Sequence, residues 1–209
     1  MKFSVIIPAH NAGKTIEKTL QSIRQQSFTD YEVIVVCDAC EDDTVEVVKG
    51  HPWVRNLVVN NHTDGLTRND GLNMAQGEWV LFIDADDWWL HEYVFEQLSE
   101  KIKENPDCDV IAFGMIWRYI GYAGPRSKMG TLYPHCTNKC WRRSFIGDTR
   151  FPEIKVANDA GFHERMMAKS PRLIEWDMPL YYYDYLCPNS KSVGLGRSAQ
   201  QTKAYWSNH

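Results

Sequence analysis

Gly77-Glu-Trp-Val-Leu-Phe-Ile-Asp84-Ala-Asp86-Asp87 is an apolar run that stops in three carboxylates within four residues. A short apolar run bounded by polar residues reads as a buried strand. In an open α/β sheet, ligand-binding groups gather at the carboxyl ends of such strands. Three crowded acids repel one another unless a cation or several donors meet them. Oxygen ligands of this kind suit Mg²⁺ or Mn²⁺, ions that share their shell with substrate phosphates. The stretch therefore points to a metal-assisted site for a nucleotide diphosphate. The competing reading is a helix cap, since Asp in a first turn favours the helix dipole.

Outward from this stretch, strand and helix signals alternate. Phe3–Pro8, Tyr31–Cys37, Val54–Asn60, Glu78–Asp84 and Val110–Trp117 read as strands. Between them, residues 13–27, 42–50, 66–76 and 91–105 carry helical spacing, as with Val94, Leu98 and Ile102. The pattern predicts a mainly parallel, Rossmann-like sheet flanked by helices. Beyond Ile120 it loosens into a Gly- and Pro-rich loop, two helical stretches (138–146 and 158–169) and an aromatic strand at Leu180–Tyr185. One domain over residues 1–209 is expected, 1–117 forming its nucleotide-binding half and 118–209 its acceptor side.

The chain has 209 residues and a formal charge of −4. No apolar run approaches the roughly 18 residues of a membrane span. Met1-Lys2 runs directly into a strand rather than a signal-peptide core, so a cytoplasmic enzyme with reduced cysteines is expected. Cys37/Cys40 and Cys136/Cys140 would make a zinc site only by converging. Charge is divided: residues 1–109 carry 9 Lys/Arg against 20 Asp/Glu, and residues 110–209 carry 14 against 7. From Val110 to Arg150, Arg118, Arg126, Lys128, Lys139, Arg142, Arg143 and Arg150 are opposed by Asp148 alone. Such a stretch is either a solvated face or a surface for an anion.

Ser4-Val-Ile-Ile-Pro8-Ala-His-Asn11, Val36-Cys-Asp38, Arg68-Asn-Asp-Gly71 and Gly77 to Asp87 occur in the order of a known family. Asn138-Lys-Cys-Trp-Arg-Arg, Arg150-Phe-Pro-Glu and Asn158-Asp159 continue it. The ordered set resembles glycosyltransferase family 2. The resemblance implies a GT-A fold, a nucleotide-sugar donor (a UDP-sugar), inverting transfer and a divalent metal, Mn²⁺ or Mg²⁺. Residue by residue it implies Pro8, Ala9 and Asn11 in the nucleotide pocket and Asp38 on the base. It places Arg68 near the pyrophosphate or base, Asp84 on the ribose or sugar, Asp86 with Asp87 at the metal, and Asp159 as general base. Three motifs depart from the family: Cys37-Asp38-Ala39-Cys40 stands for Asp-Asp-Gly-Ser, Asn158-Asp159 stands for Glu-Asp, and Gly65-Leu-Thr-Arg68-Asn69 is shorter than the family's glycine-to-arginine spacing.

The implied acceptor is a glycan, a lipid-linked sugar or another phosphate-bearing molecule, with nucleic acid the less favoured option. A sugar-nucleotide nucleotidyltransferase would need a Gly- and Arg/Lys-rich loop after the first strand, which Pro8-Ala-His-Asn-Ala-Gly13-Lys14 matches poorly. A donor-binding module without catalysis is the alternative of another class. Weaker expectations are sugar stacking by Trp88 or Trp89, a metal shell completed by His135 or His163, and a lid at Ser190–Arg197.

Overall fold

The computed structural model describes residues 1–118, 121–127, 130–154 and 157–184. The chain runs β1 (Phe3–Ala9), α1 (Ile16–Arg24), β2 (Tyr31–Asp38), α2 (Thr44–Lys49), β3 (Val54–Val59), α3 (Asp64–Met74) and β4 (Trp79–Phe82). It continues with β5 (Trp88–Trp89), α4 (Val94–Glu104), β6 (Val110–Trp117), β7 (Gly121–Ala123), β8 (Lys139–Arg142), α5 (Arg143–Ile146), α6 (Asn158–Met167) and β9 (Leu173–Tyr183).

These strands form one sheet in the order β3-β2-β1-β4-β8-β6-β9-β5, with β7 pairing β6. β3, β2, β1 and β4 are mutually parallel. Their apolar runs are nearly continuous because both faces are covered. In β1, Val5 and Ile7 join the core beside α1 and α4, while Ile6 joins the core with Leu72 of α3 and Phe162 of α6. The order reverses at β1, with β2 on one side and β4 on the other. A crevice opens beyond the strand ends at such a switch point. The segments after β1 and β4 therefore leave the sheet side by side.

Past β4 the sheet is mixed. β8 lies antiparallel between β4 and β6, and β6 is parallel to β9. Residues 138–146, expected as helix, are thus strand β8 followed by a four-residue helix. The physical reason is packing: Cys140 enters one core and Trp141 the other, a period of two that suits a strand buried on both faces. The loop expected at 121–134 contains β7 and a bridge between Arg126 and Leu132.

Candidate active site

The acids after β4 divide by direction. Asp84 and Asp86 are partly exposed, whereas Asp87 is fully buried. Asp87 Oδ2 accepts from the Tyr181 hydroxyl at 2.5 Å, and Oδ1 accepts from the Asp184 N–H at 2.7 Å. The same hydroxyl accepts the Asp84 N–H at 3.2 Å. Asp87 thus ties the end of β9 to the turn after β4, with both oxygens engaged inside the protein. Burial, then the charge of Asp86, push its carboxyl well above the ordinary range. Replacing Tyr181 by phenylalanine would orphan one buried acceptor and one N–H, at a cost of about 1–3 kcal/mol. A fall in Tm of about 2–4 °C for each kcal/mol is expected by calorimetry; an unchanged Tm would show the hydroxyl to be dispensable.

Asp86 sits in the turn closed by the Asp87 N–H on the Asp84 carbonyl. Burial first, then Asp84, Asp184 and Asp64, push its pKa up to about 7. An acid raised by neighbouring acids favours a cation beside it.

Arg68 lies on α3 and is only 5% exposed. Its Nη2 donates to Asp84 Oδ1 at 2.6 Å, and its Nη1 donates to Asn158 Oδ1 at 3.1 Å. Nη1 also pairs with Asp159 Oδ1 at 3.4 Å. Burial opposes the charge of this guanidinium, but Asp159, Cys136 and Asp84 more than compensate and raise its pKa. One side chain therefore joins the acid after β4 to the first turn of α6. Small residues permit the approach: a Cβ on Gly65 would stand 2.9 Å from the Pro152 carbonyl oxygen, and one on Gly161 2.6 Å from Pro152 Cγ.

Asp159 is covered from the second half of the chain. The N–H and thiol of Cys136 both point at its Oδ2, at 3.3 and 3.4 Å. Burial and the charge of Asp159 keep that thiol well above its usual pKa, so it acts here as a donor. Asn158, where the family pattern has glutamate, still offers Arg68 an acceptor oxygen.

Asp38 at the end of β2 is buried. Its Oδ1 accepts the N–H groups of Asn61 and His62 at 2.6 and 3.0 Å, and its Oδ2 accepts the Thr67 hydroxyl at 2.8 Å. It therefore holds the turn that opens α3, one helical turn from Arg68. Pro8 and Ala9 end β1, and the Asn11 side chain accepts the Glu41 N–H at 2.8 Å. The His10 ring donates from Nδ1 to the Asp38 carbonyl at 2.7 Å. Four non-glycine residues with left-handed backbone border this region: Asn11, Ala39, His62 and Ala157, with φ between 48° and 60°. Backbone strain of this kind collects at functional sites.

Other expectations are placed elsewhere. Trp89 is buried against Phe95, Phe113 and Tyr181. Trp88 stacks on Tyr182 at 4.1 Å and carries the Lys18 ammonium over its ring, so its faces are already used. His135 and His163 lie near Lys139 rather than Asp86, and burial pushes both rings down to about 4. The five described cysteines are free thiols, and β1 and β4 separate the two cysteine pairs, which a zinc site would have needed to converge. Among the described residues no group of three His, Cys, Asp or Glu is placed to hold a metal by itself.

The basic stretch is largely spent internally. Arg118 pairs with Asp184, Arg126 with Glu175 and Arg142 with Glu78. Arg143 donates to the Gly77 carbonyl and Arg150 to Asn73. Lys128, Tyr185 and the expected lid at 190–197 lie outside the described residues. No helix among the described residues is long and apolar enough to cross a membrane.

Comparison with known proteins finds relatives that span most of this chain. Poly(ribitol-phosphate) beta-N-acetylglucosaminyltransferase TarS of Staphylococcus aureus is 31% identical over 205 residues, spanning 88% of this chain and 35% of that protein. A poly(ribitol-phosphate) beta-glucosyltransferase of Bacillus spizizenii is 34% identical, over 87% of this chain and 32% of its own length. The chain thus spans about a third of these curated relatives. The structure of S. aureus TarS residues 1–349 with UDP superposes with a TM-score of 0.77 at 28% identity, covering 87% of this chain and 60% of that one. The same fragment has also been solved with UDP-GlcNAc. The model of glycosyl transferase family 2 matches residues 4–162. That span runs from β1 through the β4 acids and Arg68 to Asp159, and on it the chain belongs to glycosyltransferase family 2.

Proposed function

We propose that this chain is an inverting, metal-dependent glycosyltransferase that moves a sugar from a UDP-sugar to a hydroxyl of a phosphate-bearing glycan. Asp159 is the general base and Asp86 the metal ligand. The observation that carries this reading is the Asp84–Arg68–Asp159 bridge, which brings the donor-side acids and a second, separate carboxylate to one guanidinium. Inverting displacement needs a base on the acceptor side and charge stabilisation at the departing diphosphate. The UDP and UDP-GlcNAc complexes of the TarS fragment support the donor class. The names of the two poly(ribitol-phosphate) relatives support the acceptor class.

The residues present fit a divalent ion of the Mg²⁺ or Mn²⁺ type. Among the described residues the Asp86 carboxylate meets only its own backbone N–H, and burial with its acidic neighbours raises it. Such ions are commonly held by one or two carboxylates plus substrate phosphates. Asp87 is committed to Tyr181 and Asp184, which leaves Asp86 to hold the ion. When bound, the ion supplies charge neutralisation to the diphosphate. Asp84 orients Arg68, Arg68 sets the spacing between the two acids, and Asp159 accepts the proton of the attacking hydroxyl. Asp38 shapes the base pocket by holding the Asn61–His62 turn, and Pro8, Ala9 and Asn11 line it from β1.

Calorimetric titration of UDP, UDP-GlcNAc and UDP-glucose with Mn²⁺, with Mg²⁺ and with chelator tests the donor site. Saturable binding that chelation weakens is expected. Asp86→Asn should remove at least about tenfold of the metal-dependent affinity. Equal binding with and without metal would remove the assignment of Asp86, and binding to none of the three would overturn the donor reading.

A further inference from the structure

Lys139 is wholly buried, yet among the described residues no carboxylate pairs with it directly. Its ammonium has three N–H groups and meets three acceptors: the Tyr133 carbonyl at 2.6 Å, the His135 carbonyl at 2.7 Å and Asn138 Oδ1 at 2.8 Å. Cys136, which holds Asp159 Oδ2 with two donors, follows one of those carbonyls directly. We propose that Lys139 is a positioning residue for Asp159: it pins the Tyr133–Asn138 segment so that Cys136 stays aimed at the base. This rests on the reading of Asp159 as base.

The segment would not hold this shape by itself. Residues 133–138 belong to no helix or ladder, so their backbone acceptors need partners from elsewhere. An ammonium with three donors satisfies two of them, the Tyr133 and His135 carbonyls, together with the Asn138 side-chain oxygen. The groups facing Lys139 are His135 and Cys136 from its own segment, and Asp159 and His163 from α6, with Arg68 of α3 behind Asp159. Burial pushes the amine down to about 7, against the pull of Cys136 and Asp159. Both histidines, pushed down to about 4, are already neutral where the lysine titrates. As pH rises through about 7 the amine keeps two N–H groups for three acceptors, and the segment loosens. Turnover therefore falls on the alkaline side.

Amide hydrogen exchange, corrected for the intrinsic rate, tests the tether in the wild-type chain at about pH 6 and 9. Residues 133–138 should lose at least about tenfold of their protection at the higher pH while β1 does not. Lys139→Met should exchange rapidly in this segment at both pH values. Its hydrolysis of UDP-GlcNAc, with water as acceptor, should fall about ten- to a hundredfold in kcat with KM little changed, and its profile should lack the alkaline limb. Protection of 133–138 that ignores both pH and substitution overturns the proposal, as does a Lys139→Met variant with full kcat. If that variant does not fold, the wild-type series decides alone. An Asp159→Asn variant that still turns over would remove the base, and with it the purpose of the tether, while leaving the exchange result readable.

Discussion

Asp159→Asn is expected to lower turnover by about a hundred- to ten-thousandfold while donor binding stays within a few fold. The amide keeps the shape of the carboxylate, and its oxygen can still accept from Cys136, whose N–H stands 3.3 Å away. It cannot take a proton from an attacking hydroxyl. Donor binding should persist because Asp86 and the segment after β1 are untouched. Steady-state UDP-GlcNAc hydrolysis read beside calorimetric UDP binding separates the two effects. Full turnover in the variant would place the base elsewhere; lost binding together with lost turnover would mean that Asp159 shapes the donor site rather than acting on the acceptor.

Arg68→Met is the second large effect. It leaves Asp84 and Asp159 facing each other without the guanidinium between them, in a region where burial already raises the Asp84 carboxyl against the pull of Arg68. Removing one member of a buried ion pair costs about 3–5 kcal/mol, because the remaining charge is uncompensated. A lowered Tm and an almost complete loss of turnover are expected together. Arg68→Lys separates charge from shape. A lysine keeps the charge but cannot span Asp84, Asn158 and Asp159 as a planar fork does. It should recover stability more than activity. Equal recovery of both would mean that charge alone matters and the spacing of the two acids does not.

Much of residues 1–117 was legible because its signals are local. The run ending at Asp84 is a strand followed at once by its acids, and β1 and β2 end the same way at Ala9 and Asp38. Which acid enters the crevice was not legible. Asp86 and Asp87 are neighbours of identical chemistry, and Tyr181 and Asp184, 94 and 97 residues away, draw Asp87 inward. Cys136 reads in the sequence as a reduced thiol, and its donation to Asp159, 23 residues away, is a contact that folding makes. The basic stretch reads as a solvated face or an anion surface because its partners Glu78, Glu175 and Asp184 lie far away in the chain.

The sequence by itself determined the family, the alternation of strands and helices, and the identity of the acids at the strand ends. Covalent neighbours and short periodicities encode those features. The tertiary structure alone decided the antiparallel insertion of β8, the inward turn of Asp87 and the bridge through Arg68. It also decided the burial of Lys139 beneath the segment that holds Asp159. Each of these is a contact between residues distant in sequence, set by which faces the packed sheet leaves open.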